Sequence, residues 1–347
     1  MKILVTGGAG FVGSHVAEYY AKNGDEVVVL DNLSRAELLD YDKSNAMFNW
    51  NHLKGYKNIE LKKGSIIDAE MVKGAAEDVN VIIHTAAQTA VTTSVKDPRT
   101  DFEVNSIGTF NVLEAARMSK NNPCVVYCST NKVYGDNVNK IQVTSDEKRY
   151  KFTDEDYIKG VPEDLPVDNC EHTPYGSSKL SCDIYTQDYA YVYGLKTGVF
   201  RMSCIYGTRQ FGVEDQGWVA WFTIATLTDK PVTIYGDGKQ VRDVLYVEDL
   251  VRAYDLFIDS TLKHGVFNTG GGSENTLSLL ELLDILKELT GKRTKISYGD
   301  WRPSDQKVYI SDITKAQKEL RWNPKVSAKE GVSRLVSWVE ENKNLLT

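Results

Sequence analysis

The chain has 347 residues, of which 41% are hydrophobic and 26% charged, enough for one large α/β domain and a smaller one, each with its own core. Its formal net charge of −7 argues against nucleic acid or an anionic membrane surface as a partner, although a local arginine cluster can still bind an anionic small molecule. No apolar run approaches the ~18 residues of a membrane span.

MKILVTGG opens the sequence without a basic n-region or apolar h-region, so no signal peptide is expected. The five cysteines (Cys124, Cys128, Cys170, Cys182, Cys204) form no CxxC pair, which suits reduced thiols in a cytoplasm. The five histidines show no ligand spacing, so no metal site is expected.

Along the chain, Lys2–Thr6, Glu26–Leu30, Ile59–Lys62, Val81–Thr85 and Cys124–Ser129 are near-continuous apolar runs, predicting strands buried on both faces. Helical stretches lie between them, at Phe11–Asn23, Ala69–Ala76 and Thr100–Ser119. This alternation predicts right-handed βαβ units and a doubly wound parallel sheet of Rossmann type. Two insertions interrupt it, Ala36–Tyr56 and the polar, acidic Asn137–Thr173, which is long enough to suggest function or disorder. Helix Tyr175–Tyr193 and strand Lys196–Arg201 return to the sheet. Shorter elements follow at Trp218–Leu227, Val232–Ile234 and Val241–Val247, with helices through Asp259 and at Ser278–Thr290. The expected organisation is a first domain over 1–174, with 175–201 and 241–268 returning to it, and a smaller C-terminal α/β domain for substrate over 202–347.

Gly7, Gly10 and Gly13 form G-x-x-G-x-x-G between the first strand and the first helix. Glycines there permit a tight turn, close approach of a pyrophosphate and close helix–strand packing. The helix N-terminus adds N–H donors and the positive end of its dipole. Asp31 closes the second strand about 20 residues on, where a carboxylate accepts from ribose hydroxyls and repels a 2′-phosphate, so NAD is expected over NADP. This glycine spacing resembles that of the short-chain dehydrogenase/reductases. The resemblance implies cofactor contacts by Phe11, Val12, Asn32, Ser34, Arg35, Ile67, Gln88 and Ser129. It further implies that Asp68 meets the adenine, that Ala86 and Ala87 line the cofactor, and that Asn105 supports the catalytic lysine.

Tyr175 and Lys179 stand four residues apart at a helix start, on one face. Free tyrosine, with a pKa near ~10, is too weak a base at neutral pH. A neighbouring ammonium and an oxidised nicotinamide are expected to stabilise its phenolate, so that it can take a proton from a substrate hydroxyl. In STNKVYG, Thr130 matches the family's catalytic Ser/Thr and would stabilise charge on the substrate oxygen. Dehydratases of the family carry Asp-Glu at the next two positions, and its decarboxylases carry Glu at the second. Asn131 and Lys132 supply neither carboxylate, which disfavours elimination.

Arg209, Arg242 and Arg302 each offer a planar fork suited to phosphate oxygens, or to a surface ion pair. In extended members of the superfamily, the positions matched by Arg242 and Arg302 grip a pyrophosphate, and Asp305 matches as well. Cys204 stands where those members often carry a substrate-binding Asn.

Together, STNKVYGD, PYGSSK, RQFGVEDQGWVAWF, GDGKQVRDVL and RPSDQKV resemble the CDP-paratose 2-epimerase (CDP-tyvelose 2-epimerase) family, from Met1 to the KVSAKEGV segment. The resemblance implies an NAD-dependent epimerase of a CDP-hexose working through a transient 2-keto sugar, with Gln88, Thr130, Asn131, Lys132, Cys204, Arg209, Gln210, Gln216, Trp218, Arg242, Arg302 and Asp305 around the substrate. It also implies a homodimer or homotetramer, paired through Thr100–Ser119 and Tyr175–Tyr193. A UDP-glucose-type 4-epimerase, a net dehydrogenase, or a nucleotide-sugar sensor without turnover are the alternatives.

Overall fold

The computed structural model describes residues 1–38, 45, 47–302 and 305–346, Leu38 by its backbone alone. The chain folds as two compact units. The first comprises Met1–Val133, Thr173–Arg201 and Val251–Phe267; the second comprises Tyr134–His172, Met202–Leu250 and Asn268–Thr347.

The first unit is built on a seven-stranded sheet, in the order Ile59–Lys63, Glu26–Asp31, Lys2–Thr6, Val81–His84, Cys124–Thr130, Thr197–Met202, His264–Thr269. All pairings among the first five strands of the sequence are parallel. Strand Val81–His84 is buried throughout, as are all seven residues of Cys124–Thr130, because helices cover both faces. From the first strand the chain winds outward in one direction, then returns to the other side of Lys2–Thr6 at Val81–His84. That reversal opens a crevice at the carboxyl ends of the two strands. Thr6, His84 and Thr130 end their strands on that edge, so the glycine turn, the Ala86–Gln88 loop and the STNK segment emerge there.

The expected helix Thr100–Ser119 is three pieces: Pro98–Phe102, a π-helical stretch Glu103–Ile107, and Gly108–Met118. The wide turn follows from side chains that claim its backbone and its middle. The Asn105 carbonyl accepts from Cys182 Sγ at 3.1 Å, and Asn105 Nδ2 donates to Ser178 Oγ at 3.0 Å. Such widened turns occur mostly at functional sites. The insertion Ala36–Tyr56 contains helix Phe48–Leu53, with Asn49, Trp50 and Leu53 buried; residues 39–44 and 46 lie outside the described part.

In the second unit, Val241–Tyr246 is the hub of a four-stranded sheet with Cys204–Tyr206, Thr276–Ser278 and Val308–Tyr309. Val232–Tyr235 pairs in parallel with Ile296–Gly299. Helices Trp218–Leu227, Leu279–Thr290, Thr314–Leu320 and Ala328–Glu341 complete it. Ser278 and Glu281 form a reciprocal capping box, and Gly291 ends that helix in the left-handed region.

Two features differ from the sequence reading. Val241–Tyr246 pairs within the second unit, so of the expected return 241–268 it is Val251–Phe267 that joins the first. Asn137–Thr173 is structured scaffold of the second unit as far as His172. It carries a hairpin (Val143–Ser145 with Tyr150–Phe152), Arg149 paired to Glu281 at 2.9 Å, and a bridge from Val161 to Ser311. Its polar residues bond to backbone and to one another, as where Asn137 Nδ2 donates to the carbonyls of Pro166 and Asp168.

Candidate active site

The glycine turn leaves no room for side chains. Gly7 has φ +70°, and a Cβ there would lie 2.6 Å from the backbone of Ala86; one on Gly13 would lie 2.7 Å from Gly8 Cα and Thr85 Oγ1. Gly10 caps helix Phe11–Lys22 without a side chain, and the helix's first turn holds no acidic residue. The first N–H groups of a helix have no partner within it, so this end, where Phe11, Val12 and Gly13 lie, is set to receive phosphate oxygens.

Asp31 accepts from Ala9 N at 2.9 Å and from Leu33 N at 2.7 Å, which fixes its carboxylate beside the turn. Burial pushes its carboxyl up, and those two bonds pull it down. Asn32 Oδ1 accepts from the Ser34 amide and hydroxyl, organising the loop that leads into Arg35. Asp68 caps helix Ala69–Ala75 by accepting from Met71 N at 3.0 Å, so its carboxylate is engaged in the fold. The carbonyls of Ile66 and Ile67 are held by Asn111 Nδ2 at 2.9 Å. These residues fit a dinucleotide: a cradle too tight for Cβ atoms, an uncapped helix end and a fixed carboxylate.

Tyr175 and Lys179 are buried one turn apart on helix Pro174–Tyr193, which Thr173 caps and Pro174 opens. Lys179 Nζ donates to the Cys128 carbonyl at 2.5 Å and stands 4.3 Å from the centroid of the Tyr127 ring, so it is held against strand Cys124–Thr130. That strand ends in Thr130, whose hydroxyl hydrogen-bonds the Tyr175 side chain. Thr130 Oγ1 donates to Asn131 Oδ1 at 3.3 Å and accepts from Lys132 N at 3.3 Å, which brings Thr130, Asn131 and Lys132 together. Ser129 points the other way, donating to Asp183 at 2.6 Å in a buried pair with Arg201.

The electrostatics differ from the sequence expectation. Burial pushes the Tyr175 phenol up to about 12; the Thr130 bond opposes this, while Asp101 and Cys128 add to it. Burial likewise lowers the Lys179 ammonium. In the protein by itself, desolvation therefore outweighs any help from Lys179.

Gln88, expected at the cofactor and sugar, is buried: Nε2 donates to the Ala90 carbonyl at 2.9 Å and Oε1 accepts from Ala90 N. Its amide N donates to Asn105 Oδ1 at 2.8 Å. Asn105 thus braces the Ala86–Gln88 loop and helix Pro174–Tyr193, and makes no direct bond to Lys179. Sequence reading missed His84, whose imidazole joins Thr6 Oγ1 (2.6 Å) to Thr109 Oγ1 (3.0 Å). Burial first, then Lys179, lowers it to about 3, so it is neutral. Its only sequence signal is a polar residue ending an apolar run.

In the second unit, Arg242 Nη2 donates to Asp305 Oδ1 at 2.6 Å. Arg302 pairs with Asp215 at 2.8 Å over the Tyr235 ring. Trp218 Nε1 donates to Cys204 Sγ at 3.2 Å, and Gln210 Nε2 to the Ile205 carbonyl at 3.2 Å. Gln216 closes a tight turn with Val213, and Arg209 is buried with φ +60°. The residues expected around a sugar nucleotide thus group as Arg242 with Asp305, Arg302 with the DQGW segment, and Cys204 with Trp218. Among the described residues no group of three or more His, Cys, Asp or Glu could hold a metal, and no helix is long and apolar enough to cross a membrane.

Residues 4–335 match the family model described as GDP-mannose 4,6 dehydratase. The chain is 40% identical to a CDP-paratose 2-epimerase of Salmonella typhi, over 97% of this chain and 99% of that protein. It is 31% identical to a UDP-glucuronate 4-epimerase of Thermodesulfobacterium geofontis, over 99% of this chain and 97% of that one. Among solved structures, the UDP-glucuronic acid 4-epimerase of Bacillus cereus, in complex with UDP-glucuronic acid and NAD, superposes with a TM-score of 0.81 at 27% identity, covering 99% of this chain and 100% of that one. With the doubly wound sheet, the glycine cradle and the Thr130–Tyr175–Lys179 arrangement, these matches place the chain in the GDP-mannose 4,6 dehydratase family of extended short-chain dehydrogenase/reductases, the enzymes that remodel nucleotide sugars.

Proposed function

We propose that the protein is an NAD-dependent epimerase that inverts C2 of a CDP-activated hexose, interconverting CDP-paratose and CDP-tyvelose. The observation that carries this reading is the near full-length 40% identity to a CDP-paratose 2-epimerase. It is supported by Asn131 and Lys132, which give Thr130 no carboxylate neighbour to drive loss of water.

Gly7 to Gly13 and Asp31 hold NAD, with Ala86, Ala87 and the first turn of helix Phe11–Lys22 around it. NAD bound there would supply the acceptor, and then the donor, of a hydride at the sugar carbon. Tyr175 takes the proton of the C2 hydroxyl, and Thr130 holds that oxygen and stabilises its charge. Lys179 supplies the positive charge that offsets the phenolate. The resulting 2-keto sugar presents its other face, and Tyr175 gives the proton back as configuration inverts. Proton and electron pair both return, so no external oxidant is consumed. Arg242, Arg302 and Asp305 serve the pyrophosphate, while Asn131, Lys132, Cys204, Gln216 and Trp218 serve the sugar and base.

The protein works as a homodimer or homotetramer in the cytoplasm. Exposed Phe102, Ile107, Phe110, Met118, Ile184 and Tyr185 on Pro98–Met118 and Pro174–Tyr193 support pairing through those helices.

A substrate deuterated at C2 tests the reading. It should show a primary kinetic isotope effect and retain its label at C2 after inversion. Loss of label to solvent would exclude hydride transfer, and inversion at C4 without an isotope effect would make the enzyme a 4-epimerase.

A further inference from the structure

Asp101, on helix Pro98–Phe102, is 1% exposed and belongs to no motif. Three neutral groups donate to it: Ser178 Oγ to Oδ2 at 2.6 Å, and Asn105 Nδ2 and Gln88 Nε2 to Oδ1 at 3.1 and 3.3 Å. Each comes from a different part of the site. Ser178 lies in the turn between Tyr175 and Lys179, Asn105 in the π-helical stretch, and Gln88 in the loop after strand Val81–His84. Asn105 Nδ2 also reaches Ser178 Oγ at 3.0 Å and closes the network.

A buried carboxylate held by neutral donors is costly to keep in a fold, and hydrophobic residues would pack the same space more cheaply. What distinguishes Asp101 is its setting, since its one close hydroxyl partner is the residue next to Lys179.

We propose that Asp101 is a positioning residue for the reaction: through Ser178 it anchors the helical turn carrying Tyr175 and Lys179, and its charge sets the pH range in which that pair works. This rests on the roles given above to Tyr175 and Lys179. Tyr175 is faced by Asp101 and by Tyr127, Cys128 and Thr130 on the strand, with Lys179 one turn along its own helix. Lys179 is faced by Asp101, by Cys182 and Asp183 on its own helix, by Tyr127 and Cys128, and by His84. The Asp101 charge opposes a phenolate at Tyr175 and favours an ammonium at Lys179. Removing it therefore makes both groups give up their protons at lower pH, and both limbs of the activity profile move in the same direction.

The test is Asp101→Asn in the NAD-loaded enzyme. Both limbs of the kcat–pH profile should move to lower pH by about half a unit or more. At the optimum kcat should fall about tenfold, with KM for the nucleotide sugar within about twofold of the parent. A profile with parental limbs would overturn the role of the charge. Ser178→Ala keeps the buried charge and cuts the anchor, so it serves even where Asp101→Asn does not fold. It should lower kcat with KM unchanged, and parental kcat would overturn the anchoring. Tyr175→Phe, assayed alongside, separates the two readings. If it stays active, the assignment of Tyr175 fails; if it is inactive while Asp101→Asn and Ser178→Ala behave as the parent, the inference about Asp101 fails.

Discussion

Arg302 donates to Asp215 at 2.8 Å while its guanidinium lies 4.1 Å from the centroid of the Tyr235 ring, so the arginine proposed to meet a pyrophosphate is already engaged by a carboxylate of the DQGW segment. Asp215 therefore competes with an anionic substrate for Arg302. Both partners are partly exposed, so the pair is weak, about 0–1 kcal/mol. Asp215→Ala should lower KM for the nucleotide sugar by about two- to fivefold, a gain that shrinks with added salt. Arg302→Ala should raise KM about tenfold or more with kcat nearly unchanged. Steady-state kinetics at two ionic strengths check both, and a higher KM for Asp215→Ala would show that Asp215 orients Arg302 rather than competing for it.

Asp31→Ser removes the charge beside the glycine turn together with one acceptor for Ala9 and Leu33. Preference for NAD over NADP should drop about tenfold or more. Equilibrium binding of the two dinucleotides measures this, and an unchanged preference would move the discrimination elsewhere.

Tyr175→Phe should reduce kcat by about 10²–10⁴-fold while leaving nucleotide-sugar affinity almost unchanged. In cofactor-free protein, the parent-minus-variant ultraviolet titration should place this phenol at about 12. Loading with oxidised NAD should bring it down, because a cation favours the phenolate. A variant within threefold of the parent's turnover, about 0.7 kcal/mol, would remove Tyr175 from the mechanism.

His84 supplies a pH dependence of stability. Its folded value of about 3 lies below the ordinary 6.5, so the fold favours the neutral ring. Its contribution is complete above about 6.5 and is lost as pH falls towards 3, a span worth a few kcal/mol. Urea midpoints of the parent should fall through that window more steeply than those of His84→Gln. Parallel slopes would assign the acid sensitivity to other groups.

The first five strands and the first helix lie within a residue of where the sequence puts them; four of those strands are apolar runs buried on both faces, which leave little choice of period, whereas Ile59–Lys63 is a partly exposed edge strand. The π-helical stretch at Glu103–Ile107 had no such signal; it depends on what Asn105 and Cys182 bond to once the fold has formed. Val308–Tyr309 and Thr276–Ser278 are too short to show alternation, and Ile296–Gly299 is largely exposed. Within the site, Tyr175, Lys179 and the glycine turn were legible because spacing carries their geometry. Asp101 and His84 were not, since a lone polar residue in an apolar context looks the same whether it braces a site or fills a core. For Gln88, expected at the cofactor and sugar, spacing carries no sign of the bonds its amide makes to Ala90 and Asp101.

The backbone passes from one unit to the other between residues 133 and 134, 172 and 173, 201 and 202, 250 and 251, and 267 and 268. Neither unit is a continuous stretch, so neither can be obtained by shortening the gene. During synthesis the central sheet waits for its last strand, His264–Thr269, by which time most of the second unit's strands have left the ribosome. Until then Thr197–Met202 is an open edge able to pair with another nascent chain. A nonsense mutation between residues 203 and 263 should therefore yield aggregates rather than a smaller folded protein.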